Sequence, residues 1–234
     1  TPAYNTTGIK QGMFGEGLTP RPGLSEAVIE LNRHIAKVTP DRAGAPKVTE
    51  APQARSDRRL RDIVKEKFPK GNVYIGATAM SPGGRSGQIL AREFSYITPA
   101  NDFKQTQVHP EPGQWRWENP DRWVQFAEQH NQVIRIHGPI SPQCSRWAMA
   151  DNRTAEELEQ NLEEFMTALC KRYNGHENIL WMDVVNETVN PDGTWKKAAR
   201  GANWEMPWEK IGYEKTPAKF KHLDGKIPKY IIQA

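Results

Sequence analysis

The sequence predicts an α/β fold built around a parallel sheet. Two observations predict it. Short apolar runs at residues 72–80, 94–103, 132–137 and 179–185 alternate, in the later part, with stretches whose apolar residues recur at helical spacing. The last run, ILWMDVV, is apolar on both faces, as a parallel strand covered on both sides requires. Strands alternating with helices imply right-handed βαβ crossovers.

The elements follow in order. Residues 1–23 are rich in Gly and Pro and read as an extended arm. Residues 24–38 place Leu24, Val28, Leu31, Ile35 and Val38 at helical spacing, with Ser25 as a cap. Residues 39–56 return to Pro, Ala, Gly and charge and read as a linker. A short helix is expected over 60–68. NVYIGATAM (72–80) is the first strand, FSYITPANDF (94–103) holds the second before Pro99, and QVIRIH (132–137) is the third. A helix is expected from Asn119-Pro120, with Asn119 as cap and Pro120 in the first turn, turning Trp123, Phe126 and Ala127 inward. Another begins at Thr154, where Thr154 and Glu157 form a capping box. It puts Leu158, Leu162, Phe165, Met166, Leu169 and Tyr173 on one face. The fourth strand is 179–185, and Tyr230 to Ala234 reads as the start of the helix after it.

Composition narrows the function classes. A chain of 234 residues with 37% hydrophobic content can bury a core as one domain, or one domain with an arm. No window approaches eighteen consecutive apolar residues, so no membrane-spanning helix is expected. Residues 1–70 hold 13 Lys and Arg against 8 Asp and Glu, and the remainder 19 against 20, so the basic excess lies in the arm. There Asp57 and Asp62 interrupt Arg55, Arg58, Arg59 and Arg61, which fits a solvated helix face better than a nucleic-acid footprint. Cys144 and Cys170 lack metal-site spacing; they either pair or stand as free thiols. The chain opens at Thr1 with no Met and no signal h-region, so it reads as processed or excised. With no metal cluster and no phosphate-binding glycine loop, no cofactor is expected.

Chemistry in a parallel α/β barrel gathers at the C-terminal ends of the strands. Strand two ends near Asn101 and Lys104, strand three at His137, strand four at Asn186 and Glu187. An amide, an ammonium, an imidazole and a carboxylate can converge on one mouth. Trp147, Trp195, Trp204 and Trp208 lie in the loops that follow, where indoles can pack or present a face to a ligand.

VVNE at 184–187 resembles the acid/base motif of glycoside hydrolase family 10, the β-1,4-xylanase family. FSYITPANDFK (94–104) is similar to that family's F-N-x-x-T-P-E-N-x-M-K, PEPGQWRW (110–117) to P-x-P-G-x-F-x-F, residues 134–137 to the strand carrying R-G-H, and KRYNG (171–175) to R-Y-K-G. The resemblance implies a (β/α)8 barrel of which residues 60–234 supply the first four βα units, behind an arm at 1–59. It implies Glu187 as general acid/base, and Asn186 on the sugar 2-hydroxyl in the −1 subsite. It also implies Asn101 and Lys104 in the glycone subsites and His137 beside the scissile sugar. A retaining glycosidase needs one carboxyl able to donate a proton and a second, about 5–5.5 Å away, ionised to attack.

The chain departs from the family pattern in three places. Ala100 replaces a Glu, Ile136 replaces a Gly, and Gly138 to Pro142 replaces T-L-V-W-H, so Ser141 stands where a Trp is expected. The family's nucleophile, a Glu on strand seven, has no counterpart. The expectations are therefore a divergent, secreted or periplasmic endo-β-glycosidase acting on xylan or a xylan-like glycan. Its nucleophile would come from the C-terminal half of the same enzyme. The alternative is an inactive barrel that binds carbohydrate or acts as a scaffold.

Overall fold

The structure is a computed structural model that describes residues 57–71, 73–197, 206–214 and 227–234. The arm, helix and linker expected over 1–56 lie outside the described residues, as does Trp204. The chain divides into two compact units.

The first unit holds α1 (Leu60–Lys67), residues 73–76 and the stretch 87–95, which includes most of α2 (Gly84–Glu93). Leu60, Ile63 and Val64 form the buried stripe of α1, and Leu90 is buried on α2. Arg59, the N-cap of α1, makes no side-chain cap. The orphan N–H of Leu60 instead donates to the carboxylate of Glu93 at 2.9 Å, and Glu93, only 5% exposed, also pairs with Arg92. A buried acid at a helix N-terminus thus finds both a donor and a counter-charge. The sequence pattern did not announce α2, because Gly84 and Gly87 weaken a short helical run.

The second unit contains the sheet. Strands β1 (Gly76–Ala79), β2 (Tyr96–Pro99), β3 (Val133–Ile136) and β4 (Ile179–Met182) lie in the order β1-β2-β3-β4. β2 and β3 pair in parallel with Tyr96 opposite Val133, and β3 and β4 with Arg135 opposite Trp181 and Ile136 opposite Met182. Alternation sorts the side chains. Ile97, Ile134 and Ile136 are fully buried against the helical layer, while Tyr96, Thr98 and Arg135 are half-buried on the other face. Each strand is shorter than its apolar run, which is trimmed mainly at the N-terminal end in β1, at both ends in β2 and β3 and at the C-terminal end in β4.

Short helices α3 (Gln105–Val108) and α5 (Arg146–Met149) flank longer ones, α4 (Glu118–Gln129) and α6 (Ala155–Tyr173). On α6 the capping box is present as expected: Thr154 Oγ1 accepts from Glu157 N at 3.2 Å, and Glu157 accepts from Thr154 N at 2.9 Å. Its six apolar positions are all buried. The cap expected at Asn119 is a correction. α4 starts at Glu118 with Trp117 as N-cap and no side-chain cap, so Asn119 and Pro120 sit inside the first turn. Pro120 is tolerated there because first-turn N–H groups have no intrahelical partner.

Trp117 belongs to a stack that fixes this corner. His109 lies 3.9 Å from Trp115, Trp115 lies 5.4 Å from Trp117, and the Arg172 guanidinium covers Trp117 at 4.8 Å. Arg172 also pairs with Asp121, which accepts the Tyr173 hydroxyl at 2.9 Å.

Beyond β4 a 3-10 helix (Pro207–Ile211) packs on α6, and a two-stranded ribbon of β5 (Tyr213–Glu214) and β6 (Ile227–Pro228) leads into α7 (Lys229–Gln233). Trp208 is 1% exposed and Tyr230 fully buried, so Trp208 packs rather than presenting a face to a sugar. Cys144 and Cys170 are both free thiols.

Candidate active site

The expected polar residues do gather at the C-terminal ends of the strands. Just beyond β2, Lys104 is buried at 6% exposure. Its ammonium donates to Asn101 Oδ1 at 2.8 Å and to the Gln143 side-chain carbonyl. Burial holds the Lys104 amine below its ordinary value, and the nearby Glu187 carboxylate works in the opposite direction. One cation therefore bonds the segment after β2 to the loop after β3 and feels the charge of Glu187 beyond β4.

The loop after β3 is pinned at both ends. Gln105 N donates to Pro139 O at 2.9 Å, and Ser145 N donates to the buried Gln105 Oε1 at 3.0 Å. The ladder resumes past His137: Asp183 N donates to Ile136 O at 2.8 Å, and Asn186 N donates to Ile140 O at 2.9 Å. Ile136 faces Met182 but Ile140 faces Val185, so strand three carries one extra residue between these pairs. Such a bulge re-aims neighbouring side chains.

His137 contacts Asp183, Nδ1 to Oδ2 at 3.0 Å, and Arg135 Nε donates to the other oxygen of that carboxylate at 2.7 Å. Burial pushes the Asp183 carboxyl up, but the hydrogen bonds from His137 and Arg135 outweigh it and hold it below the usual carboxylate range.

Glu187 is exposed and adopts φ +54°, one of two non-glycine residues in the left-handed region among the described residues. Such a conformation costs on the order of 1 kcal/mol or more and persists where the surroundings impose it. Among the described residues its carboxylate has no hydrogen bond or ion pair, so it is not locked in a buried salt bridge. A hairpin follows at once: Val189 bridges Trp195 across the turn Asn190-Pro191-Asp192-Gly193, with Asp192 Oδ1 accepting from Thr194 N at 2.9 Å. Trp195 is half-buried on the returning arm. Trp147 lies on α5 with the Arg153 guanidinium over its ring at 4.6 Å.

The structure thus brings Asn101, Lys104 and Glu187 together, and sets Asn186 beside the His137–Gly138 corner. It ties His137 to an acid that sequence reasoning passed over. Asp183 was within reach of that reasoning, since alternation along 181–183 puts it on the face of Arg135 and His137. Gln143 carried no such signal.

The profile of Glycosyl hydrolase family 10 matches residues 59–215. The chain belongs to that family. It is similar to endo-1,4-beta-xylanase B of Thermotoga neapolitana, 28% identical over 143 residues, which are 58% of this chain and 40% of that one. It is similar also to endo-1,4-beta-xylanase 3 of Hypocrea jecorina, 33% identical over 130 residues, 53% of this chain and 36% of that one. Among solved structures, xylanase 10B from Thermotoga maritima superposes with a TM-score of 0.53 at 27% identity, covering 66% of this chain and 47% of that one. Xylanase 10B from Thermotoga petrophila, solved in complex with xylobiose, gives 0.52 at 29% identity, covering 64% and 45%. The chain therefore spans less than half the length of these relatives. Its fold is the first four βα units of a family 10 (β/α)8 barrel.

Proposed function

We propose that the protein is a retaining endo-β-glycosidase that hydrolyses a β-1,4-linked polysaccharide, xylan or a xylan-like glycan. The observation that carries this reading is the exposed, left-handed Glu187 at the end of strand four, beside the buried Lys104 ammonium, in a chain of a family whose named relatives are xylanases.

Glu187 donates its proton to the departing glycosidic oxygen. A second, ionised carboxylate attacks the anomeric carbon, and Glu187 then takes a proton from the incoming water. The second carboxylate comes from a C-terminal half of the same enzyme. Asn186 binds the sugar 2-hydroxyl, His137 faces the scissile sugar, and Asn101 and Lys104 grip the glycone. Trp147 and Trp195 offer stacking surfaces. Ala100 and Ser141 are smaller than the family's residues and favour a substituted or mixed-linkage chain. A polymeric substrate that does not enter cells is the ground for reading the enzyme as secreted or periplasmic, which fractionation of producing cells tests.

The test is reducing-sugar release by the full-length protein from plain and substituted xylans and β-glucans. Glu187→Ala should lower turnover by roughly 10²–10⁴-fold. Unchanged turnover in that variant would overturn the assignment, and glycan binding without any hydrolysis would favour the inactive, carbohydrate-binding alternative.

A further inference from the structure

We propose that Gly138 is a positioning residue: the missing side chain at the strand-three bulge is what lets Asn186 seat, and through Asn186 it aims Glu187. The proposal rests on the active-site reading above for its consequence, but not for its geometry.

Gly138 has φ +54°, and a Cβ built on it would lie 3.2 Å from Asn186 Cβ, 3.4 Å from Nδ2 and 3.5 Å from Cγ. Of the described glycines with positive φ, it alone would meet anything within 4 Å; at Gly71, Gly84, Gly113, Gly175, Gly193 and Gly212 the space is open. Gln105 N holds Pro139 O at 2.9 Å and opposes a slide of strand three, while the bond from Asn186 N to Ile140 O at 2.9 Å keeps the two backbones in register. The Asn186 side chain therefore gives, by a few tenths of an ångström. The next residue is Glu187, whose own φ of +54° leaves its direction dependent on where residue 186 sits. The bulge, the glycine and the left-handed acid are one device spanning two strand ends.

The experiment compares three variants of the full-length protein. Gly138→Ala introduces both a Cβ and a left-handed backbone penalty. Gly175→Ala, at φ +85° with open space, introduces the penalty alone. Gly138→Asn introduces the Cβ in a residue that tolerates positive φ, and answers the question if Gly138→Ala does not fold. In ¹⁵N-labelled protein the Asn186 side-chain amide and Glu187 backbone resonances should move in both Gly138 variants and stay in place in Gly175→Ala. On xylan, Gly138→Ala should lower kcat by up to about tenfold, because a contact of 3.2 Å displaces Asn186 by a fraction of the roughly 1 Å misplacement that costs about 100-fold. In an Asn186→Gly background, where the Cβ at 3.2 Å and the amide are both gone, the further loss should shrink to less than about twofold. Unmoved resonances in both Gly138 variants, or a full further loss without the Asn186 side chain, would overturn the proposal. If the protein hydrolyses no glycan at all, the functional reading fails while the resonances still decide the role of Gly138.

Discussion

On one face of the sheet Ile97, Ile134 and Ile136 are fully buried; on the other, Arg135, His137 and Asp183 form a hydrogen-bonded network and Trp181 is 43% exposed. The first face holds the unit together by removing apolar area from water, at about 25 cal/mol per Å². The second keeps charges that need partners, and an edge-to-face contact of Tyr96 with Trp181 at 5.4 Å. In a (β/α)8 barrel this second face is the packed interior below the active-site mouth. The contrast teaches that β2 and β3 separate stability from chemistry by face, whereas β1 and β4 bury none of their residues and Leu180 is as exposed as Trp181.

The sharpest way to break the contrast is Ile134→Ala against Trp181→Ala. The first should cost about 2–5 kcal/mol by urea denaturation. The second should cost clearly less, since much of its indole is already in water; equal losses would mean that both faces carry the fold. Next is Asp183→Asn, which removes the shared anion of Arg135 and His137 and should cost about 1–3 kcal/mol near neutral pH. The sign with pH follows from its depressed carboxyl. The contribution is fully present above the unfolded value of about 3.9 and is lost as pH falls through the lower folded value. The variant should therefore lose less stability on acidification than the parent, and identical acid profiles would remove Asp183 from the network. Thr154→Ala tests the helical layer through its capping box, with an expected loss of about 1 kcal/mol in thermal melts. The smallest effect has the opposite sign. Glu187→Gly should gain between a few tenths and about 1 kcal/mol by relieving φ +54°, while lowering turnover by the same roughly 10²–10⁴-fold as Glu187→Ala.

Much of this was legible in the sequence, because periodicity reports burial directly. The stripe of α6 and its Thr154 box stand where spacing and capping chemistry put them. All four strands were found from apolar runs bounded by turn residues. The misses have local causes. Residues 84–93 hold two glycines, and their helix leans on a partner that no local pattern reveals. Asn119 has the chemistry of a cap, but the stack around Trp117 starts α4 earlier. The strand ends gave the residue types of the site, yet not its wiring. Gln143 reaches Lys104 only because Gln105 folds the intervening loop back, and that depends on contacts far apart in the chain.

The aromatic column of His109, Trp115 and Trp117 under Arg172 supplies an optical handle. Indoles locked in a fixed asymmetric setting give near-ultraviolet circular dichroism, and that signal disappears when side-chain packing melts while helices survive. Because the column lies outside the cluster around Glu187, its spectrum can certify that a catalytically silent variant is still correctly packed.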